Sequence, residues 1–145
     1  MIRELELLDI TEDYFKLLCQ LSGAPKETSG WSYASSFWLK YEDNEDHQTF
    51  VYEDEGRVIG TATVLIENKL LHYGSKVGHI EDVVVDKNIR KSGIGKELVQ
   101  ECIEFCRYRM CYKAILDCSK ENIPFYERCG FTFSENCMRI NLGEK

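Results

Sequence analysis

The sequence predicts an α/β fold in which a mixed, mostly antiparallel central sheet is flanked by helices, in a single domain over residues 1–145. Segments with the two-residue period of strands alternate with segments of helical period, in the order β-α-α-β-β-β-α-β-α-β. No repeat, linker or low-complexity segment interrupts this order. A chain of 145 residues with 43% hydrophobic side chains is also large enough for one core.

The N-terminal third is predicted to form one strand and two helices. Apolar and polar residues alternate from Ile2 to Leu8, which is typical of a strand. Thr11 is placed to cap a helix over residues 12–21, and the turn-forming stretch Ser22-Gly-Ala-Pro25 follows it. A second helix over residues 32–42 belongs to an aromatic segment containing Trp31, Tyr33, Phe37, Trp38 and Tyr41. We favour core packing for these rings over a wall of a substrate site.

Strands dominate the rest of the chain. Residues 48–53 and 57–67 are predicted to pair as a hairpin, because Asp54-Glu55-Gly56 between them is typical of a tight turn. The later predicted elements are a loop or an irregular strand end at 69–76, a central strand at 77–86, an amphipathic helix at 93–109, a short buried strand at 113–118, a short helix at 122–130, and one or two last strands within 131–142. The short helix has proline in its first turn and glycine at its end.

Charge and composition exclude several classes of function. The formal net charge is −7 and the sequence pI is about 5.0, without the basic patch that is typical of nucleic-acid-binding domains. No apolar run is long enough to cross a bilayer. Acidic residues interrupt the first apolar stretch, unlike in a signal peptide. We therefore expect neither a nucleic acid nor a membrane as a partner.

The seven cysteines are odd in number and include no Cys-x-x-Cys pair. This pattern predicts reduced thiols in a cytoplasmic protein. Cys102 and Cys106 share one face of a predicted helix without a nearby histidine. We interpret them as small buried apolar residues and expect no metal site.

The most informative segment runs from His79 to Lys96. A predicted buried strand, His79-Ile-Glu-Asp-Val-Val-Val-Asp86, precedes Arg90-Lys-Ser-Gly-Ile-Gly-Lys96 at the start of a helix. The two glycines let backbone N–H groups approach an anion, and the helix start adds unpaired donors and a positive dipole end. The spacing fits neither a P-loop nor a dinucleotide fingerprint, whose third glycine is replaced by Leu98. The segment therefore predicts a site for the pyrophosphate of a cofactor.

These motifs together resemble the GCN5-related N-acetyltransferase superfamily. Arg90-x-x-Gly93-x-Gly95 opens a helix, and Asn122-x-x-Phe125-Tyr126-x-x-x-Gly130-Phe131 follows a strand that ends in Asp117. Four stretches are also similar to the eukaryotic glucosamine 6-phosphate N-acetyltransferase family within it: Ile66-Glu-Asn-Lys-Leu-Leu-His72, His79-Ile-Glu-Asp-Val, Cys111-Tyr-Lys-Ala-Ile-Leu-Asp-Cys118 and Phe125-Tyr-Glu-Arg-Cys-Gly-Phe131. The similarity is close over residues 58–133 and loose over the first 50 residues.

The resemblance implies the fold of that superfamily and acetyl-coenzyme A as co-substrate. The glycine turn would hold the pyrophosphate, while Asn122 and Tyr126 would lie near the pantetheine arm and the sulfur. We also expect Asn122 to cap its helix. The residues implied in binding the coenzyme are Val83, Val84, Val85, Arg90, Lys91, Ser92, Gly93, Ile94, Gly95, Lys96, Asn122 and Tyr126.

The implied reaction is attack of a sugar amine on a thioester, with Glu81, Asp117 and Tyr126 as catalytic residues. Glu81 and its neighbour Asp82 would orient or deprotonate the amine, and Tyr126 would donate a proton to the departing sulfur. Adjacent strand residues point to opposite faces, so both carboxylates reach one site only if a bulge intervenes. Asp117 ends an apolar strand, where an unpaired acid is costly to bury, and we assign it to positioning the amine.

A sugar phosphate needs cationic or donor groups. The residues implied in binding the acceptor are Ser22, Lys69, His72, Glu81, Asp82, Lys113 and Arg139. Ser22 stands where the family has a threonine near the phosphate. In the family, the C-terminal strand crosses into a partner subunit and brings an arginine to the phosphate, which implies a homodimer with shared sites. Arg139 lies about two residues out of that register, and Asn141 occupies the equivalent place.

Three functions stay open at this point. The resemblance favours acetyl transfer to glucosamine 6-phosphate, in the route to UDP-N-acetylglucosamine. An N-acetyltransferase for another small amine, a polyamine or a peptide is the second, and the cationic cluster of Lys69, His72 and Lys113 argues against it. A non-catalytic acyl-coenzyme A binding module is the third, and the presence of Glu81, Asp117 and Tyr126 together argues against that.

Overall fold

Five strands form one mixed sheet in the computed structural model, which describes residues 1–22, 31–89 and 93–143. The strands are β1 (Ile2–Glu4), β2 (His47–Asp54), β3 (Arg57–Asn68), β4 (Lys76–Val85) and β5 (Cys111–Ile115), and they neighbour one another in chain order. Strands β1 to β4 pair antiparallel with one another, and β5 runs parallel to β4. The predicted mixed, mostly antiparallel sheet is confirmed.

Helices cover both faces of this sheet. They are α1 (Glu12–Ser22), α2 (Trp31–Tyr41), the short α3 (Leu71–Gly74), α4 (Ile94–Tyr108) and α5 (Ile123–Arg128), with 3-10 turns at Leu7–Asp9 and Lys120–Asn122. The apolar stripe of α4 is buried against one face, with Leu98 and Cys102 fully inaccessible to solvent. On the other face, Tyr14 and Leu17 of α1 and Ala34 of α2 pack over Val51 and Val84. No helix in the described part of the chain is both long and apolar enough to cross a membrane.

Short-range signals in the sequence are confirmed at several ends of elements. The backbone N–H of Tyr14 donates to Thr11 Oγ1 over 3.3 Å, as expected of a cap. Glu55 and Gly56 both have positive φ, which the tight turn between β2 and β3 requires. Pro124 stands in the first turn of α5. Each of these features depends on residues that are adjacent in the chain.

Two predicted strands are longer than the observed ones. β1 ends at Glu4, because Asp9 in the following 3-10 turn draws the chain round to pair with the guanidinium of Arg3. β5 ends at Ile115 rather than at residue 118. Asp117 therefore follows the strand and is exposed. The expectation that Asp117 is buried at the end of the strand was wrong.

The prediction of one or two strands within 131–142 was wrong for this chain on its own. Residues 131–143 form neither helix nor strand, although Met138, Ile140 and Leu142 alternate with polar residues as in a strand. These three side chains are largely exposed. A strand needs a neighbour for its backbone hydrogen bonds, and none of the five described strands pairs with this C-terminal tail (residues 131–143).

Core packing is confirmed for three of the aromatic side chains of α2. Phe37 and Trp38 pack against the core under α1, and Tyr41 is buried, with its hydroxyl accepting from the N–H of Thr49 over 3.0 Å. Tyr33 is exposed, and the side chain of Trp31 lies outside the described residues.

Candidate active site

The sheet opens between β4 and β5. The parallel pairing of the two strands ends where His79 meets Ile115, while β4 continues to Val85. The pairing of β4 with β3 also shifts register between Thr61 and Thr63, and Asp82 has a left-handed φ of 50°. The second half of β4 therefore presents an unpaired backbone edge. The free N–H and C=O groups of such an edge are able to form hydrogen bonds with an extended ligand, as they would with a neighbouring strand.

A cleft of about 370 Å³ lies beside this open edge, between β4, the start of α4 and α5. It is lined by eight of the twelve residues predicted to bind the coenzyme: Val83, Val84, Val85, Gly93, Ile94, Gly95, Asn122 and Tyr126. Arg90, Lys91 and Ser92 lie outside the described residues. Lys96 lines a neighbouring groove together with Gln100. Asp86, Lys87, Ile89 and Phe125 also line the cleft, although none of the four was predicted to bind the coenzyme.

The two glycines of the turn serve different purposes. Gly93 precedes α4 with a φ of 102°, which is strained for any residue with a side chain. Gly95 makes room for α5, because a Cβ atom there would lie 3.2 Å from Cζ of Phe125. Asn122 stands at the cap position of α5, but its side chain makes no capping hydrogen bond. The expected capping role of Asn122 was therefore wrong.

Asp86 holds the turn after β4. It is buried, accepts hydrogen bonds from the backbone and side-chain N–H groups of Asn88, and pairs with Arg57 over 2.9 Å. The backbone N–H of Asn88 is the main cause of a lowered pKa for this carboxyl. A charged, fully bonded aspartate thus fixes the chain that leads into the glycine turn.

Three carboxylates gather at the point where β4 and β5 diverge. Glu81 and Asp82 lie next to the bulge, and Asp117 follows β5. Glu81 is exposed, but partial desolvation of its carboxyl raises the pKa above its ordinary value, and the negative charges of Asp82 and Asp117 raise it further, while His79 opposes them. A glutamate with a raised pKa is a more effective base near neutral pH.

The C-terminal tail reaches this end of the sheet. The thiol of Cys137 donates to Oδ2 of Asp117 over 3.1 Å, and the carboxylate raises the pKa of that thiol. Arg139, two residues further on, is exposed and makes no ion pair among the described residues. The predicted role of Arg139 at the phosphate stays a prediction.

Tyr126 lies inside the cleft and packs edge-on against two phenylalanines. The ring centroids of Phe125 and Phe131 are 4.9 Å and 6.1 Å away. Burial raises the pKa of the Tyr126 phenol to about 12. The phenol thus keeps its proton at neutral pH and has a proton to donate.

A cationic group lies at the other end of the β4–β5 pairing. Lys69 pairs with Glu67, and the Nζ atom of Lys113 lies 5.5 Å from the ring centroid of Tyr112. His72 has a left-handed φ of 54° in α3, and its ring lies 5.0 Å from that of Tyr112. Tyr112 thus contacts Lys113 and His72, two of the residues predicted to bind the phosphate. The sequence did not indicate this role for Tyr112, because an aromatic residue on a strand more often packs in a core. The side chain of Ser22 lies outside the described residues.

Comparison with known proteins decides the family. The sequence pattern of the acetyltransferase (GNAT) family matches residues 7–131. The chain belongs to this family. A GNAT relative from Trypanosoma brucei brucei, a glucosamine 6-phosphate N-acetyltransferase, is 38% identical over 97% of this chain and 95% of its own. Its counterpart from Arabidopsis thaliana is 39% identical over 90% of this chain and 89% of its own.

Solved GNAT structures share the whole fold. The crystal structure of the Arabidopsis thaliana glucosamine-6-phosphate N-acetyltransferase covers 99% of this chain, and the chain covers 98% of it, at 37% identity and a TM-score of 0.85. A predicted acetyltransferase from Clostridium acetobutylicum, solved with acetyl-CoA, has a TM-score of 0.76 at 18% identity over 98% of this chain and 96% of its own. This second likeness shows the fold alone.

Proposed function

We propose that this protein transfers the acetyl group of acetyl-CoA to the amine of glucosamine 6-phosphate. The observation that carries the proposal is the similarity to several enzymes of that name, at 38–40% identity over 90–97% of this chain. The geometry agrees with an acceptor that has an amine at one end and a phosphate at the other. Carboxylates lie at the open end of the β4–β5 pair, and lysines lie at the paired end.

The residues of the cleft fit acetyl-CoA. Gly93 and Gly95 bring backbone N–H groups to the start of α4, where a pyrophosphate is favoured by unpaired donors and by the helix dipole. The open edge of Val83–Val85 suits the amide groups of a pantetheine arm. Bound in this way, the coenzyme supplies a thioester as the acyl donor. We assign Arg90, Lys91, Ser92 and Lys96 to its phosphates, with Ile94 and Asn122 along the same cleft.

The amine of the acceptor is largely an ammonium at neutral pH, so it must lose a proton before it attacks the thioester. Glu81 takes a proton from the ammonium, and its raised pKa suits it to this task. Asp82 and Asp117 hold the nitrogen in line with the thioester. Tyr126 gives its proton to the sulfur as the C–S bond breaks and regains one from the nitrogen that has formed the amide. One proton is released for each acetyl group transferred.

The acceptor's phosphate is assigned to Lys69, His72 and Lys113, with Ser22 and Arg139 as further contributors. Lys113 supports this assignment because its ammonium lies over the Tyr112 ring without a carboxylate partner among the described residues. Lys69 is bound by Glu67, so a phosphate would compete with that carboxylate. With this assignment, we expect the site to favour a phosphorylated amine over amines without a phosphate and over polyamines.

We infer a homodimer whose two copies share their sites. The C-terminal tail supports this inference, because its alternating apolar residues Met138, Ile140 and Leu142 have no neighbour in the described chain. We also infer that the enzyme works in the cytoplasm, on the route to UDP-N-acetylglucosamine. Six cysteines, among them Cys102, Cys106 and Cys137, carry free thiols, which suits a reducing compartment.

The test is thiol release from acetyl-CoA in the presence of glucosamine 6-phosphate, unphosphorylated glucosamine, a polyamine and a peptide. We expect kcat/KM to be highest for glucosamine 6-phosphate. Lys113→Met should raise the KM for this acceptor and leave the KM for acetyl-CoA unchanged. A higher kcat/KM with the polyamine or the peptide would contradict the assigned acceptor. Binding of acetyl-CoA without turnover of any amine would make the protein a binding module.

A further inference from the structure

The two ends of the proposed acceptor site lie along one face of the sheet. Residues that are paired across strands, or that stand two apart along a strand, point to the same face. His79 is paired with Ile115 on β5, and Glu81 stands two residues further along β4. Lys113 is paired with Val77, two residues before His79. His79 therefore lies midway between the lysine end and the carboxylate end of this face.

The imidazole of His79 is held from one side. Its Nε2 atom lies 2.8 Å from Oε2 of Glu67, and the other oxygen of Glu67 binds Lys69. These two partners are the main causes of a lowered pKa for Glu67, which therefore stays ionised. An ionised carboxylate accepts hydrogen bonds but donates none, so Nε2 must carry the hydrogen.

This contact determines the role of the second ring nitrogen. In the neutral ring, Nδ1 then has a lone pair and no hydrogen. It makes no hydrogen bond within the part of the chain that the structure describes. About a third of the side chain is open to solvent, so an acceptor molecule on this face is able to reach it.

We propose that His79, oriented by Glu67, binds a ring hydroxyl of the acceptor through Nδ1 and so determines how the sugar lies between the lysines and Glu81. This inference rests on the proposed function. Four residues of a strand separate the Lys113 level from Glu81, about 13 Å along β4. A hexose ring at the level of His79 occupies the middle of that distance, with its amine towards Glu81 and its phosphate towards the lysines.

Two substitutions separate this role from a purely structural one. The amide of His79→Gln reaches the position of Nε2 and keeps the bond to Glu67, but it provides no acceptor at the position of Nδ1. The amide oxygen of His79→Asn lies near the position of Nδ1 and provides that acceptor. We expect His79→Gln to raise the KM for glucosamine 6-phosphate about tenfold, with the KM for acetyl-CoA within twofold. His79→Asn should recover at least half of this loss on a logarithmic scale.

Deoxy analogues of the acceptor identify the hydroxyl. The 3-deoxy and 4-deoxy forms of glucosamine 6-phosphate are assayed with the native enzyme and with His79→Gln, and melting curves confirm that the variants fold. We expect one analogue to have the same KM with both enzymes, because its missing hydroxyl is the partner of Nδ1.

Three results would overturn the proposal: a KM of His79→Gln equal to that of the native enzyme, a larger loss in His79→Asn than in His79→Gln, or equal sensitivity of both deoxy analogues to the substitution. Each of these leaves the proposed function intact if the native enzyme acetylates glucosamine 6-phosphate. A native enzyme that does not acetylate this sugar would contradict both the proposed function and the role of His79.

Discussion

The surroundings of the Glu81 carboxyl suit the role of base that we propose for it. Partial desolvation raises its pKa most, and Asp82 and Asp117 add two negative charges nearby. Removing one of these charges makes ionisation of Glu81 easier and lowers its pKa. In the proposed mechanism the carboxylate of Glu81 is the active form, so the acidic limb of the plot of kcat/KM against pH should then move to lower pH.

We expect this shift in Asp117→Asn, together with a lower maximal rate. The acceptor's own amine titrates identically with both enzymes, so the difference between their pH profiles reports on the protein. Glu12→Gln, at an exposed position of α1, is the matched control and should leave the profile unchanged. If the acidic limb of Asp117→Asn stays in place, Glu81 is not the group that titrates.

Tyr126 is the proposed proton donor, so its environment must keep it protonated and uncharged, whereas Glu81 must be ionised. Burial raises the pKa of Tyr126 to about 12, so it remains a proton donor over the whole neutral range. Tyr126→Phe keeps the packing with Phe125 and Phe131 but removes the donor. We expect kcat to fall roughly 100-fold, with the KM for acetyl-CoA within twofold. Tyr108→Phe, at an exposed position of α4, is the control and should be neutral. A normal kcat in Tyr126→Phe would place protonation of the sulfur elsewhere.

At the scale of elements, the start of α4 and the side of α5 form one unit through Gly95. A Cβ atom at Gly95 would lie within 3.2 Å of Phe125, and a valine there would push α5 away from the cleft. We expect Gly95→Val to abolish the rise in melting temperature that acetyl-CoA gives to the native protein. Glu104→Val introduces the same side chain at an exposed position of α4 that does not line the cleft, and it should keep that rise. A full thermal shift in Gly95→Val would show that this close contact is not needed for the coenzyme.

The elements also show which parts of the structure the sequence predicts. Features that depend on neighbouring residues, such as the cap at Thr11 and the turn at Glu55, follow from the chain itself. The bulge beside Asp82 and the end of β5 at Ile115 depend on register between strands, which no local pattern specifies. Glu67 and His79 stand twelve residues apart in the chain. Their contact therefore depends on the pairing of β3 with β4, which the local sequence does not specify.

At the scale of the whole molecule, the C-terminal tail leaves Met138, Ile140 and Leu142 largely exposed, although Cys137 of the same tail contacts Asp117. Its pattern is that of a strand, yet its apolar side chains face solvent in a single copy. The prediction of strands at 131–142 did not hold for one chain, and a second copy would supply the missing partner. The sequence pattern and the structure then agree, because a strand that pairs between subunits leaves no pairing within one subunit.

Ile140→Asp tests this explanation. The substitution places a charge in the middle of the alternating apolar residues of the tail, and a charge is costly to bury in an interface. We expect light scattering to give twice the chain mass for the native protein and a mixture shifted towards the single-chain mass for Ile140→Asp. The KM for glucosamine 6-phosphate should rise in the variant, because the partner's tail no longer contributes to the phosphate end of the site. Leu39→Asp changes an equally exposed leucine on α2 and should keep both the mass and the KM of the native protein. A native protein that is fully active at the single-chain mass would contradict the shared site and leave the alternation in the tail without a role in assembly.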